Sequence, residues 1–162
     1  MKPARKRFKI YILDSGWESP AHGVLEDSLA IFTRHLSRHE VYVLGRKRSD
    51  DFLEDHPQWI GKDPIIAVID PERMSRPGEE YGACLFMGHV HSRGRARMLL
   101  KMLLRLVNTP ETASRLPAAI REAVHREGVR GTMNIIFESA ALLENEVQRP
   151  RSAPEEEPDE DE

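Results

Sequence analysis

Residues 64–90, PIIAVIDPERMSRPGEEYGACLFMGHV, determine how the sheet of this protein is connected. The first six, residues 64–69, are continuously apolar, which predicts a strand covered on both faces. A second apolar strand is predicted over 83–90. The connection from Asp70 to Gly82 is about 13 residues long, is rich in turn-forming residues and has no helical period. Such a connection favours an antiparallel hairpin with a long loop over a helical crossover.

Strands and helices alternate on both sides of this segment. The elements predicted before it are a strand over 9–13, an amphipathic helix over about 23–38, a strand over 40–44 and a short helix capped by Ser49. Those predicted after it are a helix from Ser92 to about Val107, helical stretches from Thr109 and from Pro117 to Gly128, a strand over 129–137 and a helix over 139–147. This order predicts an α/β fold in which helices cover both faces of one sheet.

With a hairpin at the third connection, the layout resembles the thioredoxin-like fold, a βαβαββα core in three layers. In that family a proline, usually cis, directly precedes the third core strand, and Pro64 stands at the matching place in Lys62-Asp63-Pro64-Ile65-Ile66. In the family, this strand is followed by a hairpin, a glycine and a last helix. The predicted hairpin, Gly88 and the helix from Ser92 follow in a similar order here. The resemblance covers residues 8–108, and the fifth strand and the C-terminal helix are additional.

The resemblance departs from the family at the redox site. The family's cysteine pair would lie after the first strand, where residues 16–22 contain no cysteine. The resemblance therefore implies a Cys-less member that binds partners and exchanges no disulfides. The alternative topology is a flavodoxin- or Rossmann-like sheet of five parallel strands, and the sequence leaves both open.

Composition and charge point to one soluble domain with an acidic tail. The chain has 162 residues, 40% of them hydrophobic, and no apolar run approaches the roughly 20 residues that cross a bilayer. We expect a single cytoplasmic domain over 1–148 and a disordered tail over 149–162, which holds 7 of the 27 acidic residues. The lone Cys84 lies in an apolar strand and is predicted to be a small buried side chain.

A catalytic or metal site is one possible interpretation of the strand ends. If all strands run parallel, their carboxyl ends meet at one edge, and two carboxylates and two imidazoles could bind a divalent metal for a phosphoesterase or nuclease reaction. These residues are Asp14, Asp70, His89 and His91. The thioredoxin-like topology would separate them. No dedicated metal-ligand or cofactor motif is present, so we predict no resident metal or cofactor.

The loop after the first strand is a second candidate site. Ser15 ends the strand region, Gly16 permits a tight turn, and Trp17 is an aromatic residue in a polar loop. A sensor that binds a small phosphorylated ligand could use these three residues.

The long helix carries the most regular charge pattern in the chain. Its cations recur every four residues, so they form one row along the helix, about 18 Å long at 1.5 Å per residue. This row and the serine that caps the helix are predicted to bind a partner or an anion; the residues are Ser92, Arg93, Arg97, Lys101 and Arg105. The apolar residues of this helix, from Met98 to Val107, cover more arc than one core face needs, which suggests a protein partner or a homodimer through residues 92–107.

These patterns together predict a non-catalytic interaction or regulatory module. It would bind an acidic or protein partner through the basic, partly apolar helix. Nucleic acid is not expected, because the body is near neutral and few aromatic residues accompany the cations. The acidic tail could lie on the same cations and compete with an external ligand.

Overall fold

The computed structural model describes residues 7–76, 78–88, 90–126 and 134–136, the last three as backbone only. The strands are β1 (Lys9–Leu13), β2 (Glu40–Leu44), β3 (Ile65–Ile69), β4 (Gly82–Phe86) and β5 (Asn134–Ile136). The helices are α1 (Pro20–His35), α2 (Arg46–Asp55), α3 (Pro71–Met74), α4 (Arg93–Asn108), α5 (Pro110–Ala113) and α6 (Leu116–Arg126), with a 3₁₀ turn at Pro57–Trp59. The chain is therefore an α/β protein with one mixed sheet.

The sheet has the order β2-β1-β3-β4-β5. Only β1 and β2 are parallel, and the pairs β1–β3, β3–β4 and β4–β5 are antiparallel. The alternative of five parallel strands is therefore wrong. For β3 and β4 the physical reason is their short connection, in whose described residues the one-turn helix α3 is the only helix. The backbone N–H of Asp70 donates to the carbonyl of Tyr81 at 2.7 Å and closes a hairpin there.

The segment before β3 packs tightly against the segment after β4. The Asp63–Pro64 peptide bond is cis. The N–H of Met87 donates to the carbonyl of Pro64, and the N–H of Gly88 donates to that of Lys62, at 2.8 and 2.9 Å. A Cβ atom at Gly88 would lie 2.5 Å from the carbonyl oxygen of Gly61, so only glycine fits this contact.

Two apolar clusters pack on the two faces of the sheet. Alternating residues of β1 divide between them, because successive side chains of a strand point to opposite faces. Ile10 and Ile12 belong to the larger cluster, which includes residues of α1, α4 and α6. Tyr11 and Leu13 belong to the smaller cluster, which includes Phe52 of α2 and Trp59 of the 3₁₀ turn. All five residues of β3 are buried, as the apolar run at 64–69 predicts.

Three predicted helix starts can be compared with the structure. α1 begins at Pro20 rather than Gly23, because the Ser19 side chain accepts a hydrogen bond from His22 N and caps the helix earlier. Ser49 is not a cap, since it lies inside α2, which begins after Gly45. Ser92 caps α4 as predicted, by accepting from Arg95 N.

Several predictions fall beyond the described residues. Of the predicted fifth strand, residues 134–136 are described and pair with β4. The predicted helix over 139–147 and the tail over 149–162 lie outside the described residues. Residues 1–6 also lie outside them. Among the helices that the structure describes, none has the length and apolar character that a bilayer crossing requires.

Candidate functional site

The antiparallel pairing of β1 and β3 separates the carboxylates of the predicted catalytic site. Leu13 lies opposite Ile65, whereas Lys9 lies opposite Ile69. Asp14 therefore follows β1 at one edge of the sheet, and Asp70 follows β3 at the other, about 20 Å away along the strands. The prediction that these carboxylates could share a metal is wrong for this reason.

Asp70 has a structural role at its own edge. Its carboxylate is buried and accepts hydrogen bonds from the backbone N–H groups of Glu72 and Arg73, which caps α3. Of the two histidines in the same prediction, His91 is exposed and His89 lies outside the described residues. In the described part of the chain, no three His, Cys, Asp or Glu residues are grouped so that they could hold a metal ion.

Asp14 instead belongs to a hydrogen-bonded chain with His22 and Glu26. Asp14 Oδ2 lies 2.7 Å from His22 Nδ1, and Glu26 Oε2 lies 2.9 Å from His22 Nε2. The hydrogen bond to Asp14 raises the pKa of His22, against the opposing effect of partial burial, and the charges of both carboxylates add to the rise. The imidazole of His22 therefore joins the end of β1 to the first turns of α1.

The loop between β1 and α1, residues 14–19, is called the rim loop here, and it is fastened to Asp63. The side chain of Asp63 is fully buried, and its Oδ2 accepts from the backbone N–H and the hydroxyl of Ser15 at 2.8 and 2.7 Å. The indole N–H of Trp17 donates to the carbonyl of Asp63. Both Ser15 donors therefore face a carboxylate, an arrangement that disfavours a phosphate group at this position.

An arginine from α2 covers the turn of the rim loop. The Nε of Arg46 donates to the carbonyl of Ser15 at 3.1 Å. Gly16 has a φ of +89°, and a Cβ atom there would lie 2.3 Å from the Arg46 guanidinium. Gly16 is therefore needed for its backbone conformation, whereas the exposed Arg46 side chain could move away from a Cβ atom. Trp17, the third residue of the predicted ligand loop, is 37% exposed.

The predicted row of cations on α4 lies on the surface. Arg93, Arg97, Lys101 and Arg105 are all exposed. Arg93 forms an ion pair with Asp27 of α1, and its guanidinium lies against Gly23. The Ser92 hydroxyl oxygen accepts from Arg95 N, so Ser92 serves α4 as its cap.

The apolar residues of α4 are covered within the chain. The buried ones are Ala96, Leu99, Leu100, Met102, Leu103, Leu106 and Val107. Met98 and Leu104 are half-buried and pack against the same cluster. The prediction of surplus apolar surface for a partner is therefore wrong, because α1, α5 and α6 pack around α4 and use that surface for the core.

Cys84 is buried, as predicted, and burial raises the pKa of its thiol to about 12. A thiol with this pKa is almost entirely protonated at neutral pH and is a poor nucleophile.

Sequence reasoning missed a charged cavity of about 220 Å³ beside α6. It is lined by Arg73, Glu79, Glu80, Arg115, Pro117, Ala118 and Arg121. Arg121 pairs with Glu80, which lowers the pKa of that glutamate, and Arg115 pairs with Glu122. The arginines at this cavity are therefore matched by carboxylates.

Sequence reasoning also missed His22 and Asp63. The spacing of Asp14 and His22 signals their contact only when α1 is known to begin at Pro20.

Comparison of the chain with protein-family models, with curated proteins and with solved structures finds no match.

Proposed function

We propose that this protein is a non-catalytic, thioredoxin-like binding module that docks an acidic segment of a partner protein on the outer face of α4. That face, called the α4 basic face, consists of Arg93, Arg97, Lys101 and Arg105. The observation that carries the proposal is that four exposed cations share one side of a helix whose remaining sides are packed in the core.

The packing of α4 makes this face a rigid array. Like charges four residues apart repel by roughly 0.2–0.5 kcal/mol per pair, so the row costs some helix stability. The burial of seven α4 side chains offsets that cost and holds the cations in register. An acidic segment that follows the helix over about 18 Å would meet the positive charges of Arg97 and Lys101, and at Arg93 it would compete with Asp27. Its binding would relieve the repulsion between the cations.

The thioredoxin-like part of the proposal is supported by topology. The strand order, the single parallel pair and the hairpin between β3 and β4 agree with the layout that the resemblance implies. The cis bond before Pro64 stands where the family has one. Residues 16–22 lack cysteine and Cys84 is buried, which supports a member that binds without disulfide exchange. A cytoplasmic location is part of the proposal, since the free thiol of Cys84 suits a reducing compartment.

Three alternatives have less support: an enzyme, a ligand sensor and a homodimer through α4. A metal-dependent phosphoesterase would need Asp14 and Asp70 at one edge of the sheet, and they lie at opposite edges. A phosphorylated-ligand sensor would need the Ser15 donors, which Asp63 engages. A homodimer through α4 would have to rely on its charged face, where a second copy presents the same sign.

The test is binding of a fluorescent poly-glutamate peptide to the full chain, followed by anisotropy. The double variant Arg97→Gln/Lys101→Gln should weaken binding by roughly threefold to tenfold, the effect expected for two exposed charge pairs. Binding should also weaken with salt, since the Debye length falls to about 3 Å at 1 M. The control is Arg76→Gln/Arg126→Gln, which removes the same charge outside α4 and should bind like the natural chain.

Equal weakening in both double variants would contradict the proposal. It would mean that the peptide responds to net charge and not to the α4 basic face.

A further inference from the structure

Both ring nitrogens of His22 face a carboxylate. Nδ1 lies 2.7 Å from Asp14, and Nε2 lies 2.9 Å from Glu26. An ionised carboxylate only accepts hydrogen bonds, so the two contacts together require an N–H on each nitrogen, which is the charged imidazolium. A neutral imidazole has one N–H and can satisfy only one of the two carboxylates.

The carboxylates of Glu26 and Asp14 differ in solvent exposure, and therefore in how easily water can replace their hydrogen bonds with His22. The side chain of Glu26 is 70% exposed, and water can replace its contact with His22. The side chain of Asp14 is 17% exposed, and its other oxygen already accepts from Gly16 N at 2.9 Å. Loss of the proton should therefore release Glu26 and leave the contact with Asp14 in place, with the remaining N–H on Nδ1.

Asp14 transmits the state of His22 to the rim loop. The carboxylate of Asp14 accepts a hydrogen bond from Gly16 N and so shapes the turn in which Ser15 donates to Asp63. Trp17, two residues further along the turn, donates to the carbonyl of Asp63. A change in the charge of His22 alters its hydrogen bond with Asp14. Because Asp14 holds the turn of the rim loop, this change should also move the exposed indole of Trp17.

We propose that His22 is a proton-dependent clasp between β1 and α1. Charged, it joins Asp14 to Glu26; neutral, it keeps Asp14, releases Glu26 and shifts the rim loop with Trp17. This inference does not depend on the α4 basic face and stands apart from the proposed function.

Charges on the neighbouring elements set the direction of the switch. Asp14 at the end of β1 and Glu26 on α1 favour the imidazolium, whereas Arg46 of α2 opposes it. Arg93 of α4 lies against Gly23, the residue after His22, but forms an ion pair with Asp27. The pKa of His22 is raised overall, so the clasp is closed in acid and opens as the pH rises through that pKa.

The test is NMR titration of the ¹⁵N-labelled full chain, with the His22 ring signals identified by His22→Gln and the Trp17 indole signal by Trp17→Phe. In acid both His22 nitrogens should carry protons, and in base only Nδ1 should. The Trp17 indole signal should move with the same midpoint as His22. Glu26→Gln should lower that midpoint, because it removes one of the charges that favour the imidazolium.

Glu18→Gln is the matched control. Glu18 is an exposed carboxylate of the rim loop, and the two carboxylate partners of His22 among the described residues are Asp14 and Glu26. Its substitution should leave the midpoint close to that of the natural chain. The inference fails if Glu26→Gln shifts the midpoint no more than Glu18→Gln does, or if the Trp17 signal does not follow His22. Far-UV circular dichroism of each variant confirms that it is folded.

Discussion

At the scale of single residues, two histidines of this chain have opposite protonation preferences. His22 is held between carboxylates, which raise its pKa. His39 is buried at the amino end of β2, where burial lowers its pKa. The N–H of Phe8 donates to His39 Nδ1 at 3.1 Å, so His39 carries its proton on Nε2 and donates to Asn108 Oδ1. This arrangement holds His39 as the neutral imidazole.

His39 should therefore make the fold sensitive to acid. Its pKa in the folded chain is below the ordinary 6.5 of the unfolded chain, so the unfolded state binds the proton more tightly. The stability that neutral His39 contributes is present above that ordinary pKa and is lost as the pH falls from there through the folded pKa. In urea denaturation at about pH 7.5 and about pH 5.5, His39→Gln should lose less free energy of unfolding between the two pH values than the natural chain.

His35→Gln is the control for that experiment, because His35 is exposed near the end of α1. It should keep the acid sensitivity of the natural chain. An equal loss of stability on acidification in the natural chain and in His39→Gln would show that His39 does not titrate on unfolding.

The sequence identified some site residues but not their partners. The position of Asp14 after an evident strand predicts a site residue, whereas its pairing with Asp70 depends on strand direction. His22 precedes the predicted helix start at Gly23, so no argument from helical spacing applies to it. Asp63 stands before a proline in a short polar segment, and nothing in its local pattern predicts full burial.

At the scale of elements, the Ser19 cap explains where α1 begins. Its side chain accepts from His22 N at 3.1 Å, and Pro20 occupies the first helical position. This cap places His22 within the helix, four residues before Glu26. The geometry of the clasp therefore depends on the start of α1.

Ser19→Ala should destabilise the protein by about 1 kcal/mol, the usual effect of losing a side-chain cap. The measurement is the free energy of unfolding in urea. Ser37→Ala is the control, since Ser37 is exposed just after α1, and it should change that free energy by less than about 0.5 kcal/mol. A result in which both variants unfold alike would mean that the Ser19 hydrogen bond contributes nothing to the stability of α1.

Element type was more predictable than element ends. The strands β1, β2 and β3 and the helix α4 follow from apolar periodicity, and their described bounds lie within a residue or so of the prediction. β4 ends at Phe86 rather than near Val90, because the chain turns at Met87 and Gly88 to pack on residues 61–64. That contact joins segments more than twenty residues apart, and local pattern cannot reveal it.

At the scale of the whole molecule, strand direction decides which residues can act together. The carboxyl ends of β1 and β4 share an edge with the amino end of β3, which brings Asp14, Ser15 and Asp63 together. The same arrangement sends Asp70 to the opposite edge. The antiparallel pairing of β3 with β1 therefore determines the composition of the candidate site. Together with the hairpin between β3 and β4, it excludes the parallel alternative.

The two apolar clusters share β3, whose residues alternate between them. Ile66 and Val68 belong to the larger cluster, and Ile65, Ala67 and Ile69 belong to the smaller one. If β3 left the sheet, both clusters would lose residues, because this one strand contributes side chains to both. We therefore expect the two faces to unfold in one transition.

Trp59 reports on the smaller cluster, where it packs edge-on against Phe86 at 5.0 Å between ring centroids. In Trp17→Phe, Trp59 is the sole tryptophan of the chain. Its fluorescence and the far-UV circular dichroism should give the same midpoint in urea. Of the helices that the structure describes, α1, α4 and α6 of the opposite face are the longest, so the circular dichroism reports mainly on that face. An earlier fluorescence transition would mean that α2 and the 3₁₀ turn detach while the larger cluster stays folded, and β3 would then not couple the two faces.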